Sequence, residues 1–113
     1  MALSSTHAND VLAVLKNSTT VYVTDAKTGV FKHSIQVNHA VSAGCDGSTI
    51  AVLLSNGYLN RYDGNSGQFL GAIQPGPKAT TVQVSGGVIA VTFDRKINRY
   101  DARTGRFLGT DQF

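Results

Sequence analysis

The 113-residue chain has no Glu, no Trp and a single Cys, and each shortage restricts what the protein can be. Glu is a favoured helix former, so its absence beside many Val, Thr, Gly and Ser predicts β-structure. The lone Cys45 excludes an intrachain disulfide and fits a reducing compartment, and we expect its side chain to behave as a small buried hydrophobe. No apolar run is long enough to span a membrane, so we predict no membrane partner.

Charge is also sparse. Ten Lys and Arg residues against seven Asp give a net charge of +3, and the basic residues are spread along the chain. This pattern favours solubility over nucleic-acid binding, so we predict no nucleic-acid partner. Residues 1–10 carry neither a basic nor an apolar stretch, from which we expect no secretory signal and a place in the cytoplasm or within an assembled particle.

What the chain does have is an internal repeat. One phrase, Asp followed by Gly four residues later and Phe six residues later, recurs every 38 residues, at Asp25/Gly29/Phe31, Asp63/Gly67/Phe69 and Asp101/Gly105/Phe107. A fixed period in this range indicates a repeat architecture. We predict a single domain over residues 1–113, built from repeats 1–38, 39–76 and 77–113.

Each repeat contains four runs of strand length separated by turn-forming residues. The first run is short and has small side chains, and the second is apolar. The third alternates between apolar and polar residues, and the fourth follows the glycine of the phrase. In order, the predicted strands cover residues 2–6, 11–15, 20–24 and 30–37, then 40–45, 49–54, 58–62 and 68–74, then 79–84, 88–93, 97–100 and 106–110.

The second strand of every repeat is apolar along almost its whole length. Side chains alternate between the two faces of a strand, so such a strand is covered on both faces. Every sheet is therefore predicted to be sandwiched, including the first and the last. A chain of three repeats cannot cover those two outermost faces by itself unless it closes into a ring.

The recurring phrase is predicted to be a turn. An Asp side chain accepts hydrogen bonds from the amides just ahead of it, and Gly adopts a left-handed conformation that closes a hairpin with a bulge. A metal loop is the alternative for Asp25, Asp63 and Asp101, but it needs several converging oxygens and each phrase offers one carboxylate. We therefore predict a structural turn, with no metal and no cofactor.

The pairs Tyr62-Asp63 and Tyr100-Asp101, each followed by a Thr/Ser-Gly step and Phe-Leu, resemble the hairpin of β-propeller blades in the WD-repeat and quinoprotein-like families. The resemblance covers all three repeats, with Thr24-Asp25 in the first. It implies an all-β fold of three four-stranded antiparallel blades. The β-trefoil and β-prism are alternatives with the same count of strands, and both close as monomers.

Propellers have four to eight blades, so three blades are part of a ring that is completed by oligomerisation. We predict a homodimer of six blades, with a trimer as the alternative. The oligomer interface is predicted from the apolar strands and chain ends, at Val11, Leu12, Val14, Leu15, Val88, Ile89, Val91, Phe93, Phe107 and Phe113.

The sequence contains no recognisable catalytic motif. His7, His33 and His39 have no metal-ligand spacing, and no Gly-x-Ser-x-Gly motif occurs, so we predict that the protein is not an enzyme. The repeated Asn60-Arg61-Tyr62 and Asn98-Arg99-Tyr100 indicate either packing with cross-strand pairing or a polar site between blades.

The function predicted is a non-catalytic binding or assembly module that presents loops to a protein or glycan partner. The alternatives are a structural or decoration component of a larger particle such as a virion, and a lectin; a channel-site enzyme is less favoured. The loops between second and third strands, with those joining repeats, should share one face that carries the ligand-binding candidates Asn17, Asn38, His39, Asn56, Tyr58, Lys78, Arg95 and Lys96.

Overall fold

The computed structural model describes residues 11–46 and 49–113, and within these the regular elements are eleven β-strands in three antiparallel sheets. The first sheet contains β1 (Val11–Lys16), β2 (Thr20–Asp25) and β3 (Phe31–Gln36). The second contains β4 (Ala40–Cys45), β5 (Thr49–Leu54), β6 (Leu59–Asp63) and β7 (Phe69–Ile73). The third contains β8 (Thr81–Ser85), β9 (Val88–Thr92), β10 (Lys96–Asp101) and β11 (Phe107–Gln112).

Each sheet is a meander in which strands adjacent in sequence pair with one another. The predicted strands 40–45 and 49–54 have the observed bounds, and the bounds of the other described strands differ from the prediction by at most two residues. The strand predicted at residues 2–6 lies outside the described residues. No helix that could span a membrane is present in the described ranges.

The last hairpin of every sheet has the same irregularity. Tyr62 pairs with Phe69 and Arg61 with Gly71, so β7 carries one more residue than β6 at this point. The register shifts at the equivalent place in the first and third sheets. The extra residue is the β-bulge expected from the turn phrase, and it bends the outer strand of each sheet.

The sheets stack face to face, with one apolar core between the first and second and another between the second and third. β5 supplies both cores, because Ile50 and Val52 point to the first sheet while Ala51 and Leu53 point to the third. These four side chains are fully buried. The two-sided burial predicted for the second strand of the repeat is therefore confirmed in the central sheet.

The inner strands β4 and β8 approach at backbone distance. A Cβ added at Gly44 would lie 3.2 Å from the Cα of Gln83 and from the carbonyl oxygen of Val82. The amide of Val82 donates to the hydroxyl oxygen of Ser42 at 3.1 Å. Glycine at position 44 therefore permits the close approach of the two inner strands.

Candidate functional site

The three turns between the third and fourth strands are built alike. Asp63 Oδ1 accepts the amides of Asn65 and Ser66 at 2.8 and 3.0 Å, and the amide of Gly67 donates to the Asp63 carbonyl at 2.8 Å. The same bonds occur at Asp25 and Asp101. The closing glycines have φ of 75° to 80°, a region that side chains disfavour. The prediction of a structural turn is thereby confirmed.

The same hydrogen bonds hold the pKa of all three turn carboxyls below the ordinary value of 3.8. The largest cause is the bond donated by the amide of the third residue after each Asp, namely Thr28, Ser66 and Thr104. Amide donors favour the charged carboxylate over the neutral acid. The turns therefore favour the ionised form of these carboxylates, and backbone amides are hydrogen-bonded to the Oδ1 atom of each.

The opposite ends of the sheets form a second edge, here called the loop edge, which comprises residues 17–19, 37–39, 55–58, 74–80 and 93–95. Backbone bonds link its segments: Ala40 N donates to Ser18 O at 3.0 Å and Ser55 N to His39 O at 2.8 Å. The backbones of Gly57 and Gly76 also meet, since a Cβ on Gly57 would lie 2.6 Å from the Gly76 carbonyl oxygen. The loops of neighbouring sheets are thus fastened side by side.

Most of the ligand-binding candidates lie along this edge as exposed side chains. Asn17 and His39 have positive φ, at 58° and 61°, in tight turns. Asn56 Oδ1 accepts the amide of Tyr58, and Gln74 Nε2 donates to the Tyr58 hydroxyl. Lys78, Arg95 and Lys96 line one cleft, whereas the other candidates lie on the turns of the first and second sheets.

These three basic residues line a cleft of about 510 Å³ between the loop before β8 and the β9–β10 turn. Its other walls include Pro75, Pro77 and Phe93, and Lys96 Nζ lies 5.0 Å from the centre of the Phe93 ring. Asp94 is the acidic residue of the lining, so the cleft combines an apolar wall with a net positive charge. Sequence reasoning missed Phe93 and the two prolines here, although the Pro-Gly-Pro step marked a rigid loop.

The two outermost sheet faces differ sharply from their counterparts inside the stack. On the first sheet, Leu12 and Val14 are 51% and 57% exposed. The residues at the same positions of the repeat are 0% exposed in the second and third sheets, where they are Ile50 and Val52, and Ile89 and Val91. The face that carries Leu12 and Val14, with Tyr22, is here called the back face.

The outer face of the third sheet is here called the front face. It carries Val88, Ala90, Thr92, Ile97 and Arg99, which are half-buried within the chain. In the second sheet the corresponding face, with Ala51 and Leu53, is covered completely. The described residues therefore leave one back face and one front face uncovered by another blade, and these are the two kinds of surface that pack together between the blades.

Comparison with known proteins gave fold-level similarity. The structure of Saccharomyces cerevisiae Sqt1 is similar over 97% of this chain and 33% of its own, with a TM-score of 0.72 at 16% identity. BamB from Moraxella catarrhalis is similar over 91% of this chain and 33% of its own, with a TM-score of 0.71 at 19% identity. The WD40 repeats of RRP9 give a TM-score of 0.73 at 13% identity, over 96% of this chain and 37% of theirs.

The three sheets are β-propeller blades. The propeller fold excludes the β-trefoil and β-prism alternatives. The chain spans about a third of the length of these solved structures. No family model and no curated protein matches the sequence.

The residues predicted for an oligomer interface lie in two different places in the structure, some on the outer faces and others between blades. Leu12 and Val14 lie on the bare back face, and Val88 lies on the front face. Val11, Leu15, Ile89, Val91 and Phe93 instead pack inside the chain, between blades. Phe107 and Phe113 are exposed, and Phe107 makes an edge contact with Tyr100. Alternation explains the split, because neighbouring residues of one strand serve opposite faces.

A polar side chain crosses each junction between blades. Arg61 is only 7% exposed, and its Nη1 donates to the carbonyl oxygens of Ala102 and Arg103 in the third blade at 3.3 and 3.1 Å. At the first junction His33 Nε2 donates to the carbonyl oxygen of Gly64 at 2.8 Å, so the ring carries its proton on Nε2. The repeated Asn-Arg-Tyr thus includes a polar contact between blades, whereas the role of His33 left no signal in the sequence.

The other two residues of that triplet bond within their own blade. Asn60 Nδ2 donates to the hydroxyl of Tyr62 at 3.0 Å, and Asn98 Nδ2 donates to that of Tyr100 at 3.3 Å. Cys45 is half-buried and its thiol donates to the Val11 carbonyl. Within residues 11–46 and 49–113, no group of three or more His, Cys, Asp or Glu is placed to hold a metal ion.

Proposed function

We propose that this protein is a non-catalytic β-propeller scaffold, a ring of blades completed by association of copies, whose loop edge binds a protein. The observation that carries the proposal is the pair of bare end faces. Leu12 and Val14 are more than half exposed at positions that the repeat buries completely elsewhere. Contiguous apolar surface of this kind marks an interaction site.

Head-to-tail association satisfies both faces at once. Inside the chain every back face packs on the front face of the preceding blade, so the back face of one copy fits the front face of another. Head-to-tail contacts must close into a ring or they grow into filaments. Two copies give six blades, within the usual range for propellers, and three copies give nine. A homodimer is the simpler assembly.

The mass in solution tests this association. The protein at micromolar concentration is expected to sediment as a dimer, or as a trimer if nine blades close. A monomer at all accessible concentrations would contradict the ring. Because the back face is apolar, no ion pair between copies is expected and the dissociation constant should depend only weakly on salt.

Two charge substitutions distinguish head-to-tail pairing from the pairing of like faces. Val14→Asp places a carboxylate on the back face and Thr92→Asp on the front face, and each alone should give monomers. An equimolar mixture should regain a dimer, since it can form one junction with neither substitution. If back faces paired with back faces, Val14→Asp alone would dissociate the protein and Thr92→Asp would have no effect.

The binding of a partner is assigned to the cleft of the loop edge. Its positive charge and its Phe93 wall suit an acidic peptide with apolar side chains. The probe is a labelled peptide of alternating Glu and Leu, followed by fluorescence anisotropy. The double variant Lys78→Glu with Arg95→Glu should weaken binding by at least about tenfold.

The control for this measurement lies on the opposite edge. Lys27 and Arg103 are exposed residues of the turns, so Lys27→Glu with Arg103→Glu changes the net charge by the same amount. Equal losses for the two double variants would mean that the peptide senses total charge and not the cleft. Unaltered binding in the cleft variant would exclude this site.

A further inference from the structure

The two junctions between blades share one arrangement, a donor side chain that lies over a glycine, and the third blade carries the same donor. At the second junction, Arg61 reaches over Gly71 and Gly105 to the turn carbonyls of the next blade. A Cβ on Gly71 would lie 2.8 Å from Arg61 Nη2, and one on Gly105 would lie 3.1 Å from both Nη2 and Nε. The two glycines therefore form the slot that holds the guanidinium.

The first junction uses a different side chain for the same bond. His33 stands at the position of Gly71 in the repeat, and its ring lies 3.2 Å from a Cβ on Gly67. The acceptor Gly64 is the equivalent of Ala102. Both junctions thus place a donor of the preceding blade over the closing glycine of a turn, bonded to the carbonyl of the residue after the Asp.

The third blade carries the donor without an acceptor from a following blade. Arg99 lies 38 residues after Arg61, on the front face, and Gly109 lies under its Nη2 as Gly71 lies under that of Arg61. Its side chain is 41% exposed, and its Nε donates to Asp111 Oδ2 at 2.9 Å. The bond to Asp111 holds the guanidinium on the front face.

The first blade carries the acceptor. Gly29 is the equivalent of Gly67 and Gly105, but a Cβ added there would meet no atom within 4 Å. The carbonyls at the positions of Ala102 and Arg103 belong to Ala26 and Lys27, which are both exposed. The slot lies beside the bare back face of Leu12 and Val14, in the same blade.

We propose that Arg99 of one copy enters the slot over Gly29 of a second copy and donates to the carbonyl oxygens of Ala26 and Lys27. This inference rests on the ring association proposed above and specifies its register. A second copy is the occupant because it presents, on one surface, the turn, the glycine slot and the back face that the third blade already matches inside the chain.

Asp111 adds a feature that the internal junction lacks. Arg61 Nε is buried without a hydrogen-bond partner in the described residues, since Ile73 stands where the third blade has Asp111. In the proposed contact Asp111 keeps the Arg99 Nε bonded while the terminal nitrogens reach the carbonyls. The buried charge is then paired with a carboxylate and hydrogen-bonded through Nε as well as through its terminal nitrogens, which lowers the cost of its burial.

Arg99→Ala tests the proposal, with the dissociation constant of the assembly measured by sedimentation. The loss of charged hydrogen bonds should weaken association between about tenfold and a hundredfold. Arg99→Lys should recover part of the loss, because an ammonium reaches one carbonyl but lacks the forked geometry. Arg106→Ala, at an exposed arginine just after the last turn, is the matched control and should leave the constant within about twofold.

A second variant acts on the guanidinium without removing it. Gly109→Ala places a methyl group at 2.8 Å from Arg99 Nη2, so the side chain must turn away from its present position. Association should weaken while the urea unfolding of the dissociated chain stays nearly unchanged. A weakened fold in this variant would leave Arg99→Ala as the deciding measurement, since Arg99 is exposed in the single chain.

The outcomes separate this inference from the ring itself. A wild-type protein that stays monomeric overturns both. If the wild-type protein associates and the Arg99→Ala variant associates equally tightly, only the role of Arg99 and the register are overturned. Association with a different protein but not with itself shows that another chain occupies the slot, which also overturns the proposal.

Discussion

Single carboxylates organise the outer hairpins of this protein. Each of Asp25, Asp63 and Asp101 accepts two amides ahead of it, and the pKa of each carboxyl is lowered as a result. A carboxyl group whose pKa is lower in the folded than in the unfolded chain stabilises the fold at pH values above its unfolded pKa. That contribution is lost as the pH falls through the folded pKa.

We therefore predict that acid weakens the fold through these three turns. The free energy of unfolding of the dissociated chain should fall with pH below about 4, near the ordinary value of 3.8 for the carboxyl. Replacing all three with Asn should flatten this part of the curve, because Asn does not titrate. Urea unfolding between about pH 2 and pH 6 measures the effect, and parallel curves for both proteins would contradict it.

The closing glycines allow a comparison in which backbone strain cancels. Gly29 and Gly105 have nearly the same φ, 75° and 80°, but only Gly105 lies under an arginine. Gly105→Ala should lower the unfolding free energy of the dissociated chain more than Gly29→Ala does. The two should differ by about 1 kcal/mol, because the new methyl displaces the hydrogen-bonded Arg61. Equal losses would show that strain alone accounts for the glycine.

At the scale of the strand, one position of the repeat occurs in two environments. Val52 in β5 is buried against the first blade, whereas Val14 in β1 lies on the bare back face. Val52→Ala should cost about 2 kcal/mol of folding stability from lost apolar burial and the cavity left behind. Val14→Ala should cost less than about 0.5 kcal/mol in the dissociated chain.

The measurement is urea unfolding of both variants at a concentration low enough to dissociate the assembly. Repeating it at high concentration adds a second result, since Val14→Ala should then become costly if the back face is covered by another copy. A large cost for Val14→Ala in the dissociated chain would mean that the back face is already packed.

The strands and turns could be predicted from the sequence because their signals are local. The bounds of β4 and β5 follow from small or apolar runs flanked by turn residues, and the Asp-to-Gly phrase fixes the hairpin. The assignment of Ile89 and Val91 to an outer surface failed because alternation shows two faces without showing which neighbour covers each. The slot around Arg61 was hidden because it joins residues of β6, β7 and the last turn.

At the scale of the whole molecule, the two faces left uncovered by the described blades match each other. If copies cover these faces, folding and association are linked, and binding of a second copy stabilises the folded state by mass action. The melting temperature should therefore rise with protein concentration. In the Val14→Asp variant it should stay constant, and a wild-type melting temperature that ignores concentration would contradict the linkage.

The junctions use different donors, His33 at the first and Arg61 at the second, so the order of the blades along the chain determines which donor lies between subunits. A chain rearranged to run from residue 39 to 113 and then from 1 to 38 would turn the proposed contact of Arg99 with the Gly29 turn into a bond within one polypeptide. Its ends would then expose the His33 surface and the blade face that receives it. Such permuted subunits would assemble through the single hydrogen bond of an imidazole N–H, whereas the junction proposed for the natural order uses a forked guanidinium that stays charged.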